Sequence, residues 1–187
     1  PERNYEAVFT REQLHKWIGR LREASVFAFD TETTSLDYMQ AEIVGVSFAV
    51  DRNEAAYVPL AHDYPGAPEQ LSRDYVLEQL RPLLESSAHA KLGQNLKYDK
   101  SVLANHGIEL NGIIYDTMLE SYVLDAVATR HDMDSLALKY LGVQTIHYED
   151  VAGKGAKQIG FSQVAVEMAT EYAAEDADIT LQLHCTL

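Results

Sequence analysis

Strand-forming patterns stand near the start of this chain, and helical patterns interleaved with short strands fill the remainder. VFAF begins at Val26, and IVGVSFAV (residues 43–50) and AAYVPL follow it as further runs of β-forming residues. DRNE, residues 51–54, joins the last two runs as a hairpin connection. Early strands followed by interleaved helices and strands predict a single mixed α/β domain over residues 1–187.

Helical spacing of apolar residues predicts the other elements. Thr10 and Gln13 form a capping-box pattern that opens the first helix. A second helix is predicted over residues 73–85, and YDKSVLANHG predicts a short helix that stops at Gly107. The pattern is helical again from Gln163 to the end, whereas TIHYEDVAGKGAKQIGFS before it is predicted to be a long loop.

The charge balance limits the classes of function. The 187 residues include 29 acids and 15 bases, which give a formal net charge of -14. So acidic a chain is not expected to hold nucleic acid mainly through its phosphates, whereas an acidic site for divalent cations fits the composition. A local basic rim stays open, because several bases fall in the middle and later part of the chain: Lys91, Lys97, Lys100, Arg130, Lys139, Lys154 and Lys157.

Targeting and redox features point to the cytoplasm. No apolar run approaches the length of a membrane span, so no membrane partner is expected, and no signal-peptide pattern stands at the start. The lone Cys185 cannot form an internal disulfide and fits a reducing compartment. Because the chain starts at Pro1 and not at Met, we expect it to be a piece of a longer polypeptide.

Two acids end the VFAF strand with a single residue between them. Side chains two apart on a strand share a face, so Asp30 and Glu32 are expected to point the same way. Carboxylates held side by side repel each other, and each raises the pKa of the other. An isolated D-x-E is more often a turn acid followed by a solvated one, and the functional alternative is that a cation bridges the pair.

A third acid follows in NLKYD. Asp99 stands where a loop passes into a helix. An acid at a helix N-terminus complements the helix dipole without any ligand, and this interpretation suffices when the motif is taken alone.

The last helix carries a fourth acid. In YAAED, Tyr172 and Asp176 lie four apart on one helical face, which the apolar Ile179 continues. An acid on an inward, apolar stripe is costly unless it is paired, although a hydrogen bond from the tyrosine hydroxyl could pair it. Glu175 and Asp178 lie off this stripe and are predicted to be solvated.

Together these motifs resemble a known set. D-x-E at a strand end, N-x-x-Y-D at a helix start and Y-x-x-x-D on a late helix are typical of DEDD-type 3′–5′ exonucleases with tyrosine in the third motif. Further stretches resemble the proofreading exonuclease domain of bacterial DNA polymerase I, of family A, over essentially the whole chain: FAFDTETTSLD, LGQNLKYD, IYDTMLESYVLD, RHDMDSLA, AGKGAKQ and YAAEDADITLQLH. The resemblance implies a ribonuclease H-like mixed sheet flanked by helices, and a place within a longer DNA polymerase chain.

The resemblance also implies the site residues. Catalytic, metal-binding acids fall on Asp30, Glu32, Asp99 and Asp176, and Tyr172 is expected to orient the attacking water. Two divalent cations are implied, Mg²⁺ or Mn²⁺ with Zn²⁺ as an alternative at one site; such hard cations prefer carboxylate oxygens. One is expected on Asp30, Glu32 and Asp176, and the other near Asp30 and Asp99. The implied substrate-binding residues are Leu36, Gln94, Asn95, Tyr98, Arg130 and Tyr148, with Leu36 and Tyr148 flanking the last base.

The implied reaction is two-metal hydrolysis of the terminal phosphodiester of single-stranded or mismatched DNA 3′ ends. It would release nucleoside 5′-monophosphates and serve proofreading in DNA replication and repair. The implied partners are a DNA 3′ end and a polymerase domain of the same chain, with the domain itself monomeric. Two alternatives stay open: an RNase D-like enzyme that trims RNA 3′ ends and shares the three motifs, and a non-catalytic module that braces a polymerase domain.

Overall fold

The computed structural model describes residues 2–35, 37–116, 137–138 and 140–186. Within these residues, six strands form one sheet in the order β1-β4-β3-β2-β5-β6. The strands are β1 Asn4–Ala7, β2 Val26–Thr33, β3 Ile43–Asp51, β4 Glu54–Pro59, β5 Ala90–Gly93 and β6 Ile113–Asp116. The helices are α1 Arg11–Glu23, α2 Arg73–Glu85, α3 Leu96–Asn105, α4 Tyr148–Ala152 and α5 Val166–Thr186.

The sheet is mixed, as predicted. β2 pairs antiparallel with β3 and parallel with β5, so it lies between the meander of early strands and the later parallel strands. β3 and β4 form the predicted hairpin, and Asn53 in its turn has a positive φ of 63°, a conformation that asparagine tolerates better than most residues. β2 is therefore a central strand, and its carboxyl end lies where helices from both faces of the sheet can reach it.

Helices cover both faces of the sheet. Alternate residues of β2 explain the two layers, because Phe27 and Phe29 pack with the core of α1, α2 and α3, whereas Ala28 packs with α5. The small side chains of Ala174 and Ala177 let α5 lie close to the sheet. This arrangement brings α3 and α5 to opposite sides of the same strand end. Among the described residues, no helix is long and apolar enough to cross a membrane.

Most predicted elements are confirmed, with bounds that shift slightly. The capping box of Thr10 and Gln13 opens α1, and α2 has the predicted bounds. α3 begins at Leu96, just before the predicted start, because Asn95 serves as its N-cap residue. The sequence also predicts a helix over TMLESYVLDAV, which lies outside the described residues.

The prediction of one long loop before the last helix is wrong. TIHYEDVAGKGAKQIGFS contains α4 and two short 3₁₀ turns, Gly155–Lys157 and Phe161–Gln163. A capping box between His147 and Asp150 starts α4, and Gly153, with a φ of 77°, ends it. These turns hold their shape by local hydrogen bonds that leave no periodic apolar signal in the sequence.

One of the bases predicted to form a basic rim is buried. Lys91 lies in β5 with 0% of its surface exposed, and its ammonium donates a 2.7 Å hydrogen bond to the carbonyl of Ser86. Burial lowers the pKa of Lys91 to about 8. Four other members are exposed, namely Lys97, Lys100, Lys154 and Lys157, and the remaining two lie outside the described residues.

Candidate active site

Three acids converge at the carboxyl end of β2. Asp30 and Glu32 leave the strand on one face, the face that α5 covers, and α5 supplies Asp176. One carboxylate oxygen from each lies within 4.8 Å of the others. The period of two along the strand and the packing of α5 therefore bring together three acids that are far apart in the sequence.

Asp99 reaches the same strand end from the opposite face. It lies in the first turn of α3 and is 1% exposed. Thr31, which stands between Asp30 and Glu32 and points to the α3 side, donates two hydrogen bonds to its carboxylate, from the amide at 3.1 Å and from the hydroxyl at 2.6 Å. Thr31 was not among the residues predicted from the sequence, although its position between the two acids of D-x-E is a signal for this role.

The acids share a low-dielectric environment with like charges. Burial, reinforced by the charge of Asp176, raises the pKa of Asp30 to about 8. Burial and the charge of Asp30 also raise the pKa values of Glu32 and Asp99 well above their ordinary range. Repulsion among neighbouring carboxylates favours their protonated forms. A bound cation offsets this repulsion, so such a group of carboxyls is suited to bind one.

A cleft opens beside the acids. Its volume is about 620 Å³, and it is lined by residues from the end of β2, from α3, from α5 and from the turns after α4. Tyr98, Tyr148 and Tyr172 all face it, so three tyrosines border a space that also contains Asp30 and Glu32. The rings offer stacking surfaces for a flat ligand such as a base, and the carboxylates beside them offer ligands for a cation.

The rings of Tyr148 and Tyr172 are held by a buried phenylalanine. Phe161 is 1% exposed, and its centroid lies 6.2 Å from that of Tyr148 with the planes 21° apart. It lies 6.0 Å from the ring of Tyr172, and Tyr172 meets Tyr148 edge to face at 5.9 Å. Phe161 was not among the predicted site residues, because it lies in the segment predicted to be one long loop.

Tyr98 is anchored by hydrogen bonds on the other side of the cleft. Its hydroxyl lies 2.5 Å from the hydroxyl of Thr33 and donates to the carbonyl of Ser35 at 2.6 Å. The Thr33 hydroxyl also donates to the Ser35 carbonyl, at 2.9 Å. These bonds fix the chain that follows β2 against α3, so the ring of Tyr98 has a defined position at the cleft.

The other predicted substrate-binding residues have different outcomes. Gln94 and Asn95 lie in the turn between β5 and α3, and neither is among the side chains that line the cleft. Leu36 and Arg130 lie outside the described residues. Seven lining residues were not anticipated. Four lie at or just after the end of β2, namely Thr31, Thr33, Thr34 and Ser35, and three come from the segment after α4, namely Gln158, Ile159 and Gly160.

The prediction that Glu175 and Asp178 are solvated is wrong. They are 2% and 0% exposed. Asp178 accepts hydrogen bonds from the hydroxyl of Tyr5 at 2.5 Å and from the amide of Asn53 at 2.9 Å, and Glu175 pairs with Arg3 at 2.7 Å. Both acids face segments that are remote in sequence, so the spacing on the helix alone could not reveal their partners.

Comparisons with known proteins agree with one another. A family model described as a 3′–5′ exonuclease, of the DNA polymerase A type, matches residues 5–187. The chain is 62% identical over its full length to DNA polymerase I of Pseudomonas aeruginosa, of which it covers 21%. It is 47% identical over 93% of its length to DNA polymerase I of Rhizobium leguminosarum, of which it covers 19%. The chain thus spans about a fifth of the length of these curated relatives.

Solved structures share the fold at low sequence identity. Trypanosoma brucei RNase D in complex with RNA U12 superposes with a TM-score of 0.76 at 18% identity, covering 98% of this chain and 63% of that one. Brucella melitensis NrnC with bound Mg²⁺ gives a TM-score of 0.66 at 17% identity, covering 99% of this chain and 79% of that one. These likenesses confirm the ribonuclease H-like fold class predicted from the sequence.

Proposed function

This chain belongs to the 3′–5′ exonuclease family of the DNA polymerase A type, and from that premise we propose that it hydrolyses the terminal phosphodiester of single-stranded or mismatched DNA 3′ ends. The products are nucleoside 5′-monophosphates, and the role is proofreading in DNA replication and repair. The observation that carries this proposal is the convergence of Asp30, Glu32 and Asp176 beside a cleft bordered by three tyrosines.

The donor set fits hard divalent cations. Every group in the cluster of Asp30, Glu32 and Asp176 offers carboxylate oxygen, the ligand that Mg²⁺ and Mn²⁺ prefer, and Asp99 adds a fourth carboxylate near Asp30. The raised pKa of Asp30, about 8, indicates that the cluster has too much negative charge in too little solvent without a cation. When bound, two such cations supply charge neutralisation at the phosphate and acidify the attacking water.

Side chains of the cleft position the attacking water and the substrate. The hydroxyl of Tyr172 orients the attacking water, and Glu32 on the same side of the cleft assists it by accepting a hydrogen bond. Tyr148 stacks on the last base, and the anchored Tyr98 restrains the neighbouring nucleotide. Contacts to ring faces and backbone tolerate any base, so little sequence preference is expected.

The relatives support a setting within a longer chain. Both relatives are named DNA polymerase I, and this chain spans about a fifth of each. We therefore propose that residues 1–187 form one monomeric exonuclease domain of a longer DNA polymerase chain, in the bacterial cytosol. The polymerase domain of that chain supplies most of the affinity for DNA, since a net charge of -14 gives this portion little attraction to phosphates.

A time course on end-labelled oligonucleotides tests the proposal. With Mn²⁺ present, we expect shortening from the 3′ end, and faster removal from single-stranded or mismatched ends than from matched duplex ends. The reason is that a paired terminus must first unpair and unstack, which costs on the order of a few kcal/mol.

The matched control is Asp30→Asn with Glu32→Gln, which keeps the shapes and removes two charges. Degradation that persists in this variant would come from a contaminating nuclease. Shortening from the 5′ end, or equal rates on matched and mismatched ends, would contradict the proposal. An RNA strand of the same sequence separates DNA proofreading from RNA trimming, and faster cleavage of the RNA would favour the latter.

A further inference from the structure

Glu175 joins three parts of the molecule that are remote in sequence. It is a buried residue of α5, with 3% of its side chain exposed. One carboxylate oxygen pairs with the guanidinium of Arg3 at 2.7 Å, and the other accepts a 2.7 Å hydrogen bond from the backbone amide of Ile146. Arg3 is 40% exposed in its side chain, so the bond to Ile146 is the more shielded of the two.

The bond to Ile146 lies next to the residues of the cleft. Ile146 stands two residues before Tyr148, and the ring of Tyr148 meets the ring of Tyr172 on α5 at 5.9 Å. Glu175 and Tyr172 are three apart on that helix, so they are neighbours on its surface. Residues 146–148, which lead into α4, therefore contact α5 at two points, through the backbone of Ile146 and through the ring of Tyr148.

The same turn of α5 carries Asp176, the residue directly after Glu175. A shift of the segment along α5 would therefore change the position of Tyr148 relative to the acid cluster. The hydrogen bond between Glu175 and Ile146 is shielded from competing water, because 3% of the Glu175 side chain is exposed, and this makes Glu175 an effective fixed point.

Resting on the function proposed above, we infer that Glu175 is a positioning residue for substrate binding. Its carboxylate holds the backbone of Ile146 so that Tyr148 receives the terminal base at the right distance from the acids. Hydrogen-bond acceptance towards Ile146 carries this role, and the ion pair with Arg3 contributes to stability instead.

Matched substitutions separate the two contacts. Glu175→Gln keeps a carbonyl that can accept from Ile146 and loses the charge that attracts Arg3. Glu175→Met has a similar volume and loses both. Glu175→Asp keeps the charge and shortens the reach by one methylene. Arg3→Met removes the ion pair, together with the contact of the guanidinium with the ring of Tyr5, and leaves the bond to Ile146 intact.

Steady-state kinetics on a short single-stranded DNA, with Mn²⁺, supply the readout. We expect E175Q and R3M to keep KM within about twofold of the wild type, and E175M and E175D to raise KM by roughly tenfold or more, the scale of one base–aromatic stack, with a smaller change in kcat. Equal impairment of E175Q and E175M, or an unchanged KM in E175M, would overturn the inference.

A double-mutant cycle identifies the residue through which Glu175 acts. If it positions Tyr148, Y148A and E175M together should raise KM little more than Y148A alone, whereas R3M should be additive with Y148A. Additive effects of E175M and Y148A would count against the inference. The rise in melting temperature caused by Mn²⁺ should be equal in E175M and wild type, because a general distortion of α5 would also weaken the acid cluster.

Amide hydrogen exchange tests the contact without any assay of activity. Protection of the Ile146 amide should be retained in E175Q and lost in E175D, and in E175M where that variant folds. Unchanged protection in E175D would overturn the inference even if the chain cleaves DNA. If the Ile146 amide shows this pattern of protection but the wild type cuts no DNA, only the proposed function is refuted.

Discussion

Asp99 shows how one side chain can be both well held and electrostatically unfavourable. Its carboxylate accepts hydrogen bonds of 3.1 and 2.6 Å from Thr31 and is 1% exposed. Burial and the charge of Asp30 nevertheless raise the pKa of Asp99 well above its ordinary range. The folded state without metal therefore favours the protonated acid at pH values where the unfolded chain ionises it.

Asp99→Asn should separate stability from activity. The amide keeps the shape and an oxygen for Thr31 but cannot ionise. A raised carboxyl pKa in the folded state makes the free energy of unfolding fall as pH increases. Removing the group should therefore raise the metal-free melting temperature at pH 7–8. Below about pH 4 the melting temperature should change little. Nuclease activity should be lost if Asp99 is the cation ligand proposed above. Thermal melts at both pH values and an oligonucleotide assay measure these effects.

An exposed acid provides the control for this variant. Glu69→Gln removes one negative charge at an exposed position away from the cleft and should change neither quantity. Wild-type cleavage by the Asp99→Asn protein would contradict the role assigned to Asp99. A protein that fails to fold would instead indicate that its role is structural.

Gly45 stands directly opposite Glu32 in the β2–β3 pair. A Cβ atom there would lie 2.1 Å from the hydroxyl of the buried Tyr57 and 2.3 Å from its ring. Gly45→Ala should therefore lower the free energy of unfolding by about 1–3 kcal/mol, because a core side chain must shift. It should also reduce nuclease activity, since the shift occurs beneath Glu32. Urea denaturation measures the first effect and an end-labelled oligonucleotide the second.

Gly19→Ala is the matched control, because it has no atom within 4 Å of the new methyl group and lies inside α1. It should raise the free energy of unfolding by about 0.5–1 kcal/mol through helix propensity and leave activity unchanged. A Gly45→Ala protein with the wild-type urea midpoint would show that Tyr57 moves aside without strain.

At the scale of helices and strands, α5 shows what periodicity can and cannot predict. The stripe through Tyr172, Asp176 and Ile179 was predicted to face inward, and Ile179 is 0% exposed. The prediction that Glu175 is solvated failed because Arg3, just before β1, and Ile146, just before α4, contact a second side of the helix. β1 itself was not predicted, since NYEA has neither an apolar run nor a clear alternation.

The prediction for the segment after α4 also failed, and this segment contributes residues to the candidate site. Two glycines with positive φ, Gly153 and Gly155, break any periodic pattern there, yet Phe161 beyond them is 1% exposed and supports two tyrosines of the cleft. Local sequence shows a turn-forming composition. It does not show that the turns pack against α5, because that contact depends on residues elsewhere in the chain.

Phe161→Leu should impair substrate use more than stability. Leucine is apolar but offers no ring for Tyr148 or Tyr172, so both should move relative to the acids. We expect a loss of about 1 kcal/mol in the free energy of unfolding and a several-fold rise in KM for single-stranded DNA. Phe27→Leu, an equally buried phenylalanine on the opposite face of the sheet, should lose similar stability and keep the wild-type KM. Equal KM values in the two variants would argue against a supporting role for Phe161.

For the molecule as a whole, the site depends on contacts between distant parts of the chain. β2 contributes Asp30 and Glu32, α3 contributes Asp99, and α5 contributes Asp176. Period-two alternation predicted that the first pair would share a face, and helical spacing predicted the direction of Asp176. That all four would meet followed only from family resemblance, because no local pattern specifies how α3 and α5 cross the end of one strand.

The convergence of acids also determines how the whole molecule should respond to pH and cations. Burial raises the pKa of Asp30 to about 8, and the pKa values of Glu32 and Asp99 are raised as well. Between about pH 4 and the raised values, the folded protein binds more protons than the unfolded chain. Without metal, its free energy of unfolding should therefore fall as pH increases through this interval.

Adding Mg²⁺ or Mn²⁺ should reverse that fall. A cation that binds only the folded state stabilises it by about 2.7 kcal/mol at one hundred times its Kd, and its affinity increases as the carboxyls lose protons. The rise in melting temperature on adding Mg²⁺ should thus be larger at pH 8 than at pH 6, and a chelator should abolish it. Asp30→Ala with Glu32→Ala should lose the response, whereas Glu69→Gln with Glu167→Gln, which removes two exposed acids, should retain it.

An equal rise in the Asp30/Glu32 double variant would mean that the cations bind elsewhere on this acidic surface, and a rise independent of pH would mean that these carboxyls are not the ligands.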